Sequence, residues 1–246
     1  TGGTLISSGT LVANDVNALG TGDVTDNAVL ELNTGGDFDN AISGSGKVEK
    51  SGDGTLTLSG SNTYTGGTTI SGGTLVATSV EALGSGDVTD NAVLELNTGG
   101  TFDNVISGSG QVVKSGDDAL TLSGANTYTG GTTINGGTLV ASNVEALGSG
   151  DIDNYASLQL NASGQFVTAN LTTHDNATTA IGAGSALRAN TLNAGGEQHP
   201  GRTPDRQQQR CHRHRRPRQP GRYAGYYRHR QRGEILDPRR VRLHAD

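Results

Sequence analysis

The chain has no Met, no Trp and one Cys, and aromatic residues make up only 4% of it. A compact core normally relies on large side chains, so a two-layer globule is not expected. The first 196 residues hold neither Cys nor Pro. Disulfide staples are therefore excluded there. That suits an exported protein that avoids disulfide chemistry in transit, and a cytosolic protein fits as well. No run of 18 apolar residues exists, so no helical membrane span is expected. Long alternating strands with aromatic girdles are also missing, so no membrane barrel is visible in this stretch. The chain begins at Thr1 and shows no apolar segment after a basic start, so it reads as a fragment or processed segment without a signal peptide. What is abundant is Gly, with 39 residues, together with Thr, Asn and Val, a composition for short strands joined by tight turns.

The net charge of −6 conceals two opposed parts. Residues 1–196 hold three Lys, one Arg and 19 acids, a balance of −15, whereas residues 197–246 hold 14 Arg and five acids, a balance of +9. All five Pro, Cys211 and five of the six His fall in the second part. Such a break marks a boundary. An Arg-, Gln-, Pro- and His-rich arm could bind nucleic acid. Out-of-frame translation accounts better for the abruptness. Shifting the codons of Glu197–Gly201 by one base permits Asn-Ser-Thr-Leu, which continues the language of Asn193–Gly196. Either way the arm has too few apolar residues to order itself, and disorder is expected.

The first part is repetitive. Gly9-Thr10-Leu11-Val12-Ala13 recurs at Gly73–Ala77 and Gly137–Ala141, a step of 64 residues. Residues 9–72 align with 73–136 without a gap, and 52 of 64 positions are identical; a partial third copy spans 137–196. Phe38, Phe102 and Phe166 fall in register, as do Tyr64 and Tyr128. Alternation places Leu94, Leu96, Leu120 and Leu122 on one side, with Glu95 and Thr121 on the other. Gly- and Asn-rich turns follow each strand. The nearest helix candidate, Val80–Leu83, is too short and ends at Gly84.

Short strands with Gly turns fit an antiparallel sandwich or a β-solenoid, and the gap-free repeat favours the solenoid. Coils of about 21 residues would give each copy roughly three turns and the repeat region about nine. Phe38 and Phe102 would then lie about three coils apart without touching. Each ladder would be built from non-equivalent residues.

The run Leu120-Thr121-Leu122-Ser123-Gly124-Ala125-Asn126-Thr127-Tyr128-Thr129-Gly130-Gly131-Thr132-Thr133-Ile134-Asn135-Gly136-Gly137-Thr138-Leu139, with its second copy at Leu56–Leu75, resembles the passenger-associated β-strand repeat of bacterial autotransporters. So does the intervening Ala82–Asp87. The resemblance covers about 195 residues. It implies an all-β fold, a single-stranded right-handed parallel β-helix, displayed on or secreted from a Gram-negative cell. It also implies a C-terminal outer-membrane barrel, which this stretch does not contain.

Local motifs carry little chemistry. Gly44-Ser45-Gly46-Lys47 is similar to a phosphate loop, but Ala41 and Val48 stand where Gly and Ser or Thr are needed, so a turn is expected. Asp87 and Asp90, in Gly86–Asn91, are weak calcium candidates; β-roll calcium sites recur every nine residues, and this one recurs every 64. Asp37 and Asp39 lie on one side of an extended segment, as a glycosidase pair would. The second copy has Thr101 and Asp103 there and the third has Gln165 and Val167, so two ordinary solvated carboxylates are the simpler reading. His174 lacks a triad context. Cys211, His212 and His214 lack the spaced partner of a zinc site. Tyr64 and Tyr128 read as packing residues beside a turn. No cofactor, catalytic residue or nucleic-acid partner is expected. The expected function is a non-enzymatic passenger acting in adhesion, autoaggregation or as a stalk. Its partners would be host or bacterial surface molecules or further copies of itself. The alternatives are a spacer of an enzyme passenger whose catalytic module is absent, or a truncated product without function.

Overall fold

The computed structural model describes residues 2–195 and the strand Val241–Leu243. From residue 2 to 195 the chain winds as a β-solenoid of about ten turns, with every strand pairing in parallel with a strand of a neighbouring turn. No helix forms among the described residues. Each turn has three sides, and the strands on each side stack into a face. Thr4–Ile6, Val24–Asp26 and Ile42–Ser43 begin the first face, which resumes as strand from Gly100–Phe102 to Thr178–Ile181. Between these stretches, backbone bonds from Thr63 to Ile42 and from Ser85 to Tyr64 continue the same column. The second face runs from Thr10–Ala13 to Ile106–Ser107. The third is an unbroken stack of nine strands from Gly36–Phe38 to Ser185–Ala194.

The register of the third face sets the pitch. Phe38, Leu58, Ala77, Leu96, Lys114, Ile134, Asn154, Thr173 and Ala194 lie one above another. That is 156 residues in eight steps, about 19.5 residues per turn. The expected coil of about 21 residues is therefore too long. Up to Leu160 the strands have two to four residues, and their sharp Gly and Asn corners close a side in fewer residues. A 64-residue copy makes about 3.3 turns, ten strand positions rather than nine. Each copy therefore begins one face further round than the last. The strand reading Thr-Leu-Val-Ala lies on the second face at Thr10–Ala13, on the third at Thr74–Ala77 and on the first at Thr138–Ala141.

The interior repeats accordingly. Ala13, Leu32, Lys50, Ile70 and Asp90 form an inward ladder on the second face. Their equivalents Ala77, Leu96, Lys114, Ile134 and Asn154 form the same ladder on the third. As the repeat implies, ladder neighbours are never equivalent residues. Leu94, Leu96, Leu120 and Leu122 are fully buried, while Glu95 and Thr121 are half-buried on the outer side. Each such Leu contributes about 1.5–3 kcal/mol of burial, which is what keeps strands this short in register.

Polar side chains fasten the turns where no strand forms. Buried Asn62 accepts from the Ile42 N–H at 2.8 Å and donates to the Ala82 carbonyl at 2.6 Å, linking three successive turns. Asn126 makes the same two bonds, to Ile106 and Ala146. Tyr64 and Tyr128 are fully buried, and their hydroxyls meet Thr68 and Thr132 Oγ1 at 2.7 and 2.6 Å. Burial pushes both phenols well above their ordinary range. Lys50 is also inside, its ammonium donating to the carbonyls of Ser51, Gly52 and Gly72. Lys114 donates to Ser115 and Gly116. Desolvation lowers the pKa of both lysines, opposed by nearby aspartates: Asp53 for Lys50, and Asp118 and Asp117 for Lys114.

Val241–Leu243 pairs antiparallel with Thr178–Ile181. The expectation of a disordered Arg-rich arm concerns residues that otherwise lie outside those described, as do Cys211, His212 and His214.

Candidate functional site

One surface feature recurs in every copy. At residues 14–22 the chain makes a tight turn in place of a strand, with Ala18 N–H bonded to Asp15 O and Gly20 N–H to Asn17 O. In the second copy the same bonds join Ala82 to Ser79 and Gly84 to Glu81, and in the third Ala146 to Asn143 and Gly148 to Glu145. This turn is the segment Val80–Leu83 that sequence alone brings closest to a helix.

The turn stands out from the wall and leaves a groove beside it. Val16, Val80 and Val144 sit at equivalent places, each over a glycine of the following turn: Gly36, Gly100 and Gly164. Those glycines have φ of 113°, 103° and 131°, where a Cβ is strained whatever the space. The groove measures about 130 Å³ in the first copy, 420 Å³ in the second and 360 Å³ in the third. In the second copy Glu81, Ser85, Asp87, Thr101 and Asp103 line it. In the third the corresponding side chains include Glu145, Ser149, Gln165 and Val167.

The floor is held from behind. Asn40 Nδ2 donates to the carbonyls of Gly20 and Gly22 at 2.9 and 2.6 Å. Asn104 repeats this with Gly84 and Gly86, at 3.1 and 2.6 Å. In the third copy Thr168 Oγ1 takes the role, at 2.7 Å from Gly150 O. The turn is thus pinned by side chains from the following coil and, in the second and third copies, through Asn62 and Asn126 from the preceding one. A fixed, shallow, acidic and hydroxylated rim results, with no Lys or Arg among its lining residues. Such a rim repels phosphate and presents acceptors to hydroxyl or ammonium donors.

The sequence-derived candidates take the following places. Asp37 and Asp39 are both exposed and both line the groove of the first copy. Asp39 also accepts from Ser59 Oγ at 2.8 Å. Asp87 is exposed at the rim of the second groove, whereas Asp90 points into the interior with none of its surface exposed. The wall of the solenoid separates the two carboxylates. Gly44–Gly46 is a turn, and Gly46 packs on the carboxyl of Asp26. His174 stacks on Tyr155 with ring centroids 3.7 Å apart and 8° between the planes, and its Nε2 is 3.4 Å from Asp153 Oδ1. Sequence reasoning missed the groove itself. A signal existed: among the 12 positions that differ between the first two copies, 17/81, 21/85 and 37/101 line it, and 14/78 and 15/79 lie in its turn.

Residues 48–77 and 112–141 each match the passenger-associated-transport-repeat family. The chain carries passenger-associated transport repeats and fits an autotransporter passenger domain. No curated protein and no solved structure matches it. The passenger family implies a secreted or cell-surface protein of a Gram-negative bacterium. The two matched segments lie 64 residues apart and hold buried Lys50, Asn62, Tyr64 and Thr68 and their equivalents Lys114, Asn126, Tyr128 and Thr132. The groove-forming turn at 79–87 falls between them. The matched segments also supply part of the groove wall, Asn62 and Thr63 in the second copy and Asn126 and Thr127 in the third.

Proposed function

We propose that the chain is a non-enzymatic passenger that acts at the cell surface in adhesion or autoaggregation, with the repeated groove as its contact point. The observation that carries this reading is the recurrence of one pinned groove in each copy, on successive faces of a rigid rod. A 64-residue step advances the groove by one face and, at about 4.8 Å per turn, by about 16 Å along the axis. The grooves are shallow, the first below and the other two at the low end of the roughly 300–1,000 Å³ that ligand sites commonly enclose. Single contacts are accordingly weak. Several engaged together raise avidity by about 10²–10⁴ without any new contact. The rim chemistry favours surface glycans or amine-bearing groups over nucleic acid. The same rigid rod also serves as a stalk or spacer, a reading supported by interior packing that is independent of the groove.

Display of the full chain on cells through an outer-membrane barrel tests the proposal. Cells bearing it should clump or retain surface glycans. Combined substitution Glu81→Ala, Asp103→Ala and Glu145→Ala should reduce that gain while leaving the far-UV circular dichroism of the chain unchanged. No gain over undecorated cells removes adhesion and leaves the stalk.

A further inference from the structure

Asp26 and Asp90 occupy equivalent positions and are fully buried, each at the inner end of a strand. Oδ1 of each accepts a backbone N–H, from Ala28 at 2.9 Å and Ala92 at 3.0 Å. Oδ2 of each is buried without any partner among the described residues. The following turn presses a glycine on the carboxyl, Gly46 on Asp26 and Gly110 on Asp90, so close that a Cβ would overlap it. No room is left for an ion or a hydration shell.

The surroundings supply no charge to offset an anion. The strands on either side of Asp26 read Thr4-Leu5-Ile6 and Ile42-Ser43, and those beside Asp90 read Thr68-Thr69-Ile70 and Ile106-Ser107. The titratable group facing Asp26 is the Tyr64 phenol, and the one facing Asp90 is Tyr128. Each phenol is engaged by its Thr. Lys47 turns away to Glu49. Lys50 lies two turns from Asp90 with Ile70 between them, and its ammonium is committed to turn carbonyls. An ionised carboxylate in such a place is far costlier than a neutral acid.

The third copy shows what the position accepts. Asn154 replaces the Asp there. Its Oδ1 keeps the same bond, from Ala156 N at 3.0 Å. Its Nδ2 donates to Thr178 O at 2.8 Å and Thr179 Oγ1 at 3.1 Å. A neutral amide thus fills the site with every polar atom used.

We infer that Asp26 and Asp90 are carried inside the β-helix as neutral carboxylic acids, and that their ionisation loosens the turns they join, making the rod firmer in mild acid than at neutral pH. Burial raises both carboxyls, Asp90 from 3.8 to about 6. A folded pKa above the unfolded one means the folded chain binds the extra proton. For Asp90 the stabilisation is complete below about pH 4, is lost as pH rises through about 6, and is gone above it; Asp26 contributes with the same sign. For Asp90 the shift corresponds to a folding equilibrium about 150-fold more favourable at the acid end.

Urea unfolding of the full chain from about pH 4.5 to about pH 8 tests this, alongside Asp26→Asn, Asp90→Asn and the double variant. The wild-type midpoint should fall as pH rises, each single variant should flatten part of the slope, and the double variant should flatten most of it. An unchanged slope in the double variant overturns the inference. Should the variants fail to fold, the infrared carbonyl band of a protonated carboxylic acid in the folded wild type decides. Its persistence above about pH 5, where exposed aspartates are ionised, sustains the inference, and its absence refutes it.

Discussion

Excision of residues 73–136 is the sharpest test of a repeat that does not close on a whole number of turns. The cut joins Gly72 to Gly137. Thr138–Ala141 then falls on Thr55–Leu58, where Thr74–Ala77 had been. Both read Thr-Leu-Val-Ala, so Leu139 meets Leu56 and Ala141 meets Leu58 as Leu75 and Ala77 did. Asn62 finds the Ala146 carbonyl in place of Ala82, the contact Asn126 already makes. No buried contact is lost at the junction. The rod should shorten by about 16 Å, and everything beyond the cut should move back by one face. Spin labels at the outward positions Lys47 and Gln159 report both changes. They lie about 5.7 turns apart, roughly 28 Å along the axis, and should come to about 2.5 turns, roughly 12 Å. The control removes residues 73–130, close to three whole turns, and so leaves the downstream faces where they were. It sets Thr132–Ile134 in the place of Thr74–Val76, which turns Ile134 outward and Thr133 inward. The whole-copy excision should keep its strand signal and a cooperative urea transition, and the three-turn excision should lose both. Equal folding of the two, or loss of structure in the first, refutes the reasoning.

Two further outcomes follow from the interior. Lys50→Met removes an ammonium bonded to three turn carbonyls, and although its desolvation cost is recovered, the carbonyls are left facing an apolar group. A net loss of about 1–3 kcal/mol is expected in urea unfolding. Lys114→Met, with two such carbonyls, should lose less, and equal or greater stability in both variants counts against a fastening role. In an alkaline spectrophotometric titration two of the six tyrosines should stay un-ionised until the fold is lost, and Tyr64→Phe with Tyr128→Phe should remove that late step. Each substitution should cost about 1 kcal/mol for the bond to Thr68 or Thr132.

The fold was largely legible because its code is local. Alternation at Val93–Leu96 and Ala119–Leu122 settles which side chains turn inward, and the gap-free copying favours a solenoid over a sandwich with distinct sheets. The number of residues per turn was not legible. It depends on how tightly corners such as Asn97–Gly100 and Ser115–Asp118 close, and no periodic signal marks them, because the period visible in the chain is the duplication and not the coil. For the same reason the shift of one face per copy could not be seen. The groove escaped notice because it is made by residues about 20 and 40 apart, Thr63, Glu81 and Asp103, which meet only once the pitch is known. Asp90 was misleading in another way: beside Asp87 in sequence it resembles a ligand pair, but alternation through Val88 and Thr89 puts it on the inner side of the wall.

The non-integral repeat has a functional consequence that an integral one would not. Three whole turns per copy would line up every groove on one face. A shift of one face per copy turns neighbouring grooves 120° apart, and the same face is regained only after three copies, about 48 Å further on. A flat surface could then engage one groove in three. A flexible glycan chain, or a bundle of rods packed around this one, could reach all of them. Avidity from this rod should therefore grow with copy number for partners that surround it, and slowly for partners that are planar. Duplication could build such a rod because nearest-turn contacts depend on sequence offset and not on the face they occupy. Thr-Leu-Val-Ala is accommodated equally well on the second, third and first faces, each time pairing with the strand of the following turn. That equivalence allows a unit of ten strand positions to be copied into a three-sided coil without disturbing a single buried contact.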